Sequence, residues 1–268
     1  MPIVPVRPVR RLSQDEFRKL DYRVMGVAFE VHNDLGRHLA EELYKNELAH
    51  RLRREGVAAE QQFPIRIEFA EFKTTLWPDL LIADAAVYEL KAAAAIAPAH
   101  RAQALGYVLL TETSHGKLLN FGTAKVEGEF ISASLTLDDR REFTVDESKW
   151  LDLGLSSRQL KSFATELARD WGLCLACSLY REAIVYFLGG EAVVKQRIEL
   201  SLADRVLGSQ EVDLLDPETL LVLTAIPDEI QGIQRHFQRL LNLSRLKHLQ
   251  WINFQRHCLQ FVTLAHSL

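Results

Sequence analysis

An α/β fold in two tandem units, each a mixed β-sheet flanked by helices, is what the sequence predicts. Three observations predict it. Within residues 1–140, two helix-period stretches precede three β-prone runs, then a third helical stretch and two more apolar runs. That order gives a sheet with helices packed against it. Residues 141–268 repeat the order at a nearly constant offset. The chain is 268 residues long, 48% hydrophobic and 25% charged, so each unit has apolar side chains enough for its own core.

Taken in order, residues 1–11 contain three prolines and no signal-peptide core, and read as an extended arm. Residues 14–31 and 38–54 carry helical periodicity, interrupted at Asn33-Asp34-Leu35-Gly36. Residues 61–70, 74–82 and 85–91 are strand-like. A helix is expected from Pro98 to about Thr113, since proline suits the first helical turn. Strands are expected at about 116–122 and 127–135. A polar linker near 138–150, containing Asp138 to Glu142, separates domains at 1–140 and 141–268. A helix around 156–169 opens the second.

The two halves align. Asp34-Leu-Gly-Arg-His-Leu-Ala-Glu-Glu-Leu-Tyr44 matches Asp170-Trp-Gly-Leu-Cys-Leu-Ala-Cys-Ser-Leu-Tyr180 without a gap, at an offset of 136. Asp79-Leu-Leu matches Asp213-Leu-Leu at 134, and Leu119-Asn-Phe121 matches Ile252-Asn-Phe254 at 133. A small drift with preserved order is what a duplicated unit with short loop deletions shows.

Charge and cysteine content exclude several classes. Net charge is −4, and neither half has an excess of Lys and Arg, so a nucleic-acid surface must be local. Arg51, Arg53 and Arg54, and the Arg7, Arg10, Arg11 tail, read either as solvated surface or as phosphate contacts. No apolar run reaches the roughly 18–20 residues that span a membrane. Three cysteines without a secretion signal point to a reducing, cytoplasmic setting. Cys174-x-x-Cys177 would need His257 and Cys258 to complete a zinc site; the competing reading is small buried thiols on one helix face.

The chemistry concentrates in residues 77–91. Asp79, nine residues, then Glu89-x-Lys91 places an acid on one strand level with a second acid on the next. Glu89 and Lys91 are two apart and project from one face. Two carboxylates beside an ammonium can hold one hard dication and stabilise the pentavalent phosphate of phosphodiester hydrolysis. The other reading of the motif alone is a hairpin with solvated charges.

More residues join this pattern. Gly36-x-x-Leu39-x-Glu41-x-x-Tyr44, Asp79, Glu89-x-Lys91, His100-x-x-Gln103-x-x-x-Tyr107 and Leu118-Leu-Asn-Phe121 occur in that order. Together they make residues 15–135 resemble the GxxExxY protein family of the PD-(D/E)XK nuclease superfamily. One departure is His38, which stands where the family motif has its first glycine.

The resemblance implies two restriction-endonuclease-like units, the first with a metal-dependent nuclease site using Mg²⁺ or Mn²⁺. It implies Asp79 and Glu89 as metal ligands, with the backbone carbonyl near Leu90 as a third. Glu41 would reach the metal directly or through water. Lys91 would orient the attacking water. Gln103 and Tyr107, four apart on one helix face, would border the site. His32, His100 and Tyr44 are candidates for its outer shell, with structural roles as their alternatives. Crowded acids would raise the pKa of at least one carboxyl and would relax if either were removed.

In the second half Glu41 corresponds to Cys177, Glu89 to Val222, Lys91 to Thr224, Gln103 to His236 and Tyr107 to Leu240. Only Asp213 remains of the acids, so residues 141–268 read as a degenerate copy. The two units are expected to pair about a pseudo-two-fold axis, as an isologous dimer would. The expected partner is nucleic acid, DNA or RNA, with no membrane. The rival reading is a non-catalytic nucleic-acid-binding or protein-interaction scaffold on a nuclease fold.

Overall fold

The computed structural model describes residues 3–5, 9–203, 205–228 and 230–266. It divides into two compact units, Met1–Leu137 and Asp138–Leu268, and each is described by itself.

The first unit opens with β1 (Ile3–Pro5), α1 (Gln14–Leu35) and α2 (Glu41–Arg54). Ser13 and Glu16 close a capping box at the start of α1, which stops at Gly36, a glycine at φ +68°. Five strands follow: β2 (Ala59–Gln61), β3 (Ile65–Phe69), β4 (Phe72–Leu76), β5 (Leu80–Ile82) and β6 (Ala86–Lys91). α3 (Pro98–Thr111), β7 (His115–Asn120) and β8 (Glu127–Ser132) complete the unit. The main sheet has the order β2-β5-β6-β7-β8 and is antiparallel except for the parallel pair β6–β7.

Strand alternation divides the sheet faces. Leu80, Ile82, Tyr88, Leu90, Leu119 and Phe121 enter one core with Val24, Val31, Leu48 and Leu52 of α1 and α2. Leu81, Val87 and Glu89, of opposite parity, are buried on the other face, where α3 packs against β6 and β7.

Three expectations are corrected. The run 74–82 is two strands in different sheets. β4 pairs with β3 in a small β1-β3-β4 sheet, and β5 belongs to the main one. The break falls at Trp77-Pro78-Asp79, where proline has no N–H for a ladder. Part of the N-terminal arm is a strand, with Ile3–Pro5 antiparallel to β3; Arg7 lies outside the described residues. The stretch 138–150 is also more than a linker. It holds α4 (Leu137–Arg141) and β9 (Thr144–Lys149), and β9 pairs in parallel with the last strand of the second unit. Arg140 is buried there and donates to the Trp171 carbonyl at 2.6 Å.

The second unit continues with α5 (Leu155–Trp171), α6 (Cys177–Phe187), α7 (Glu191–Val194), β10 (Lys195–Leu202), β11 (Arg205–Asp216) and β12 (Thr219–Thr224). α8 (Ile230–Leu243), β13 (His248–Phe254) and β14 (Cys258–Ala265) end it. Its sheet has the order β10-β11-β12-β13-β14-β9, with β12–β13 and β14–β9 parallel.

Local architecture recurs between the units. Tyr44 donates to the Gly36 carbonyl at 2.9 Å and stacks on Phe121; Tyr180 donates to Gly172 at 2.5 Å and stacks on Phe254. Asn120 brackets the backbone of Ala93 with both amide atoms, and Asn253 does the same to Ile226. His38 and Cys174, 136 apart, share positive φ values of 81° and 69°. The register Lys91↔Asn120 has its counterpart in Thr224↔Asn253.

Candidate active site

The site forms at the end of the β5–β6 hairpin. That hairpin turns at Ala83 and Asp84, both at φ near +55°, and the Ala85 N–H donates to the Ile82 carbonyl at 3.1 Å. Positive φ at both central positions matches the twist of the flanking strands. Leu80 therefore faces Tyr88, and Asp79 falls opposite Glu89.

Pro78 ends the β4 run, so the next N–H is unclaimed by a ladder. The Asp79 N–H donates to Glu89 Oε1 at 2.9 Å. The Leu90 N–H donates to Asp79 Oδ2, also at 2.9 Å. The Glu89 carboxylate is thus held by the Asp79 amide, and the Asp79 carboxylate by the amide of Leu90, the residue after Glu89. On an extended strand the Leu90 carbonyl points to the same edge as its N–H, toward Asp79.

The remaining oxygens face cations. Glu89 Oε2 lies 3.5 Å from Lys91 Nζ, which also lies 3.4 Å from Glu41 Oε1. Asp79 Oδ1 lies 3.4 Å from the ammonium of Lys45. Glu41 is the first residue of α2, so it meets the sheet through Lys91. Among the described residues, no group of three or more His, Cys, Asp or Glu side chains gathers closely enough to hold a metal ion. Asp79 and Glu89 are the intimate pair, and Glu41 stands across the lysine.

Glu89 is only 2% exposed. Burial, then the neighbouring Asp79 charge, pushes its carboxyl up to about 8, against weaker lowering by the Asp79 amide and Lys91. Crowding alone was expected to raise such an acid; burial is the larger cause, and the Asp79 charge comes second. A buried carboxyl beside a second acid, with oxygen donors only, suits a hard dication such as Mg²⁺ or Mn²⁺. Asp79, Glu89 and the Leu90 carbonyl fit such an ion.

The other candidates separate into two groups. Tyr107 borders the site: its hydroxyl accepts from Gln103 Nε2 at 3.2 Å. Burial raises its pKa, Gln103 opposes this, and the charges of Glu89 and Asp79 add to the rise. His32, His100 and Tyr44 are engaged elsewhere. His32 Nε2 is 3.1 Å from the Thr123 carbonyl. His100 Nδ1 accepts the Ala97 N–H at 3.1 Å, capping α3. Tyr44 is fully buried and ties Gly36 and Leu39 through its hydroxyl.

The basic cluster on α2 is largely engaged as well. Arg51 pairs with Asp34 and Glu47, and Arg53 donates to the Ala59 carbonyl and Gln61.

Sequence reasoning missed two contributors. Lys45 is buried among the acids, and its signal was a lysine at i+4 from Glu41, inside the apolar face of Tyr44, Leu48 and Leu52. Asn120, noted only within a motif, fixes the chain leaving Lys91. It accepts the Ala93 and Gly122 amides and donates to Ala93. A Cβ on Gly122 would collide with the Ala93 backbone, so glycine permits this approach.

At the matching place in the second unit, Arg181 grips both oxygens of Asp213 at 2.5 and 2.6 Å. β11 runs unbroken through Asp213, with Val212 where the first unit has Pro78. Thr224 is occupied by Asn253 and by the Trp251 indole. Cys177 begins α6, as Glu41 begins α2, and burial pushes its thiol up to about 11. That opposes the thiolate a zinc ligand needs. Cys174 lies in the loop before α6, so the two thiols do not share a helix face.

Residues 18–131 match the family model of the PD-(D/E)XK nuclease superfamily. The matched segment runs from α1 through β8 and contains every residue of this site. Nucleases of this superfamily generally use divalent metal ions. No curated protein and no solved structure matches the chain. No helix among the described residues is long and apolar enough to cross a membrane.

Proposed function

We propose that the first unit is a metal-dependent nuclease that hydrolyses phosphodiester bonds of nucleic acid, and that the second is its degenerate, non-catalytic copy. The observation that carries this reading is the amide-locked pair Asp79–Glu89 with Lys91 3.5 Å from Glu89. Asp79, Glu89 and the Leu90 carbonyl would hold Mg²⁺ or Mn²⁺. The bound ion supplies Lewis-acid stabilisation of phosphate charge and lowers the pKa of a water.

The chain's own groups do the remainder. Lys91 Nζ, between Glu41 and Glu89, orients the attacking water and offsets charge on the scissile phosphate. Glu41 keeps that ammonium in place. Gln103 and Tyr107 contact substrate beside it, and burial raises the pKa of the Tyr107 hydroxyl. His32, His100 and Tyr44 hold the scaffold.

A panel of labelled single- and double-stranded DNA and RNA, incubated with Mg²⁺ or Mn²⁺, tests the reading. Wild type should cleave at least one member and Lys91→Ala should not. Intact substrates with both proteins, or equal cleavage by both, would reject it.

A further inference from the structure

Lys45 has no assigned role in the chemistry above, yet it sits within it. It follows Tyr44 on α2, one turn after Glu41, so its side chain enters the protein beside the site. The side chain is 8% exposed, and its ammonium lies 2.5 Å from Glu42 and 3.4 Å from Asp79 Oδ1. Burying an ammonium is costly unless it is paired, and this one is paired closely with Glu42 and more loosely with the site's first acid.

The oxygen it faces is the informative detail. Asp79 Oδ2 already accepts the Leu90 amide, so Oδ1, with no backbone donor, is the more open oxygen for a cation. Lys45 already occupies that direction. The second unit makes a comparable pairing without a counterpart of Glu89, its arginine being shared between Asp213 and Glu191. Arg181, one residue after Tyr180, binds both oxygens of Asp213, and Val222 and Thr224 stand where Glu89 and Lys91 would be. A cation on this helix, aimed at this aspartate, therefore needs no metal site for its existence.

We propose that Lys45 is the resident counter-ion of Asp79, competing with a divalent ion for Oδ1 and so setting the metal affinity of the site. The proposal rests on the metal-site reading above. Its physical content is a charge and a lone pair. The ammonium repels a dication across a few ångströms, and it withdraws one oxygen from coordination. An uncharged side chain of equal length frees that oxygen. A guanidinium, which forks across a carboxylate, takes more of it.

Mn²⁺ binding to the full chain tests this, read from the loss of the free-ion EPR signal and by calorimetry. Lys45→Met should bind Mn²⁺ about tenfold more tightly than wild type, or better. Lys45→Arg should bind at least about tenfold more weakly, reproducing the Arg181–Asp213 clamp. Circular dichroism and thermal melts establish that each variant is folded. If Lys45→Met does not fold, the Lys45→Arg arm stands alone. Wild-type affinity in a folded Lys45→Met or Lys45→Arg protein would overturn the role of Lys45. Mn²⁺ binding by none of the three, wild type included, would overturn the metal-site reading and this inference with it. A merely structural lysine would shift melting temperatures and leave the Met, Lys, Arg order of affinities unformed.

Discussion

The same framework carries an acid at Asp79 and at Asp213, and the two acids have different fates. Asp79 follows a proline that stops one strand, so its amide and carboxylate are free to bind Glu89 and Leu90. Asp213 sits inside a continuous strand and is closed off by the two-bond grip of Arg181. On the proposed reading, a metal-holding carboxylate needs more than its residue type. It needs an interruption in the ladder, a second acid across the hairpin, and a counter-charge loose enough to give way. The first unit has all three. The second keeps the folding contacts, Tyr180–Gly172 and Asn253–Ile226, and lacks the rest.

The largest effect that sharpens this contrast is kinetic. Lys91→Ala should lower kcat/KM by about 10²-fold or more while Mn²⁺ binding persists, because a positioned ammonium acts on the transition state. Cys177→Ala, at the second unit's equivalent of Glu41, should leave kcat/KM unchanged. Loss of activity in Cys177→Ala would break the division of labour.

Stability supplies the next contrast. The sequence alone suggested that removing Asp79 would relieve repulsion. The structure reverses that, because Asp79→Ala leaves the buried Lys45 with only Glu42 and orphans the Leu90 amide. Metal-free Asp79→Ala should lose about 2 kcal/mol in urea melts, and Asp213→Ala should lose less, because Arg181 is partly exposed and keeps Glu191. A neutral or stabilising result at both positions would remove the cation–aspartate pair from the account.

Glu89 behaves oppositely and depends on pH. Its folded pKa, near 8, lies above its ordinary 4.5. Between those values the folded state binds more protons than the unfolded one, so this group makes metal-free stability fall as pH rises. The slope approaches about 1.4 kcal/mol per pH unit and is absent below the lower value. Glu89→Gln should flatten it and be more stable than wild type at pH 8, with little difference below pH 4.5. Parallel curves for the two proteins across this window would contradict the burial argument.

The smallest effect concerns His38, a non-glycine residue at φ +81°. His38→Gly should gain about 0.5–1 kcal/mol, because relief of left-handed strain slightly outweighs glycine's unfolded-state entropy. A loss in thermal melts would show that the imidazole contributes contacts exceeding that strain.

How much of this was legible in the sequence follows from the range of each interaction. Asp79, Glu89 and Lys91 were legible because a short hairpin and strand alternation fix them locally. Gln103 and Tyr107 were legible as a pair four apart on one helix. The break at Pro78 was overlooked because apolar residues continue on both sides of it. β9 was overlooked because Thr144–Lys149 is polar and gains strand structure only by pairing with β14, distant in sequence. Lys45 carried only a weak signal, its place on the apolar face of α2, because a helical lysine reads as solvated until tertiary packing buries it. For His100 the sequence left an outer-shell and a structural role open, and its three-residue spacing from Ala97 fits the capping contact it makes.

On the proposed function, the Asp79–Glu89 pair, and nothing in the second unit, performs metal-dependent hydrolysis. The most direct measurement is Mn²⁺-dependent cleavage of labelled DNA and RNA by wild type, Glu89→Gln and Cys177→Ala, with an EDTA control. The account predicts cleavage by wild type and Cys177→Ala, abolished by EDTA, and none by a folded Glu89→Gln. Cleavage that survives in Glu89→Gln, or that is lost in Cys177→Ala, would contradict it.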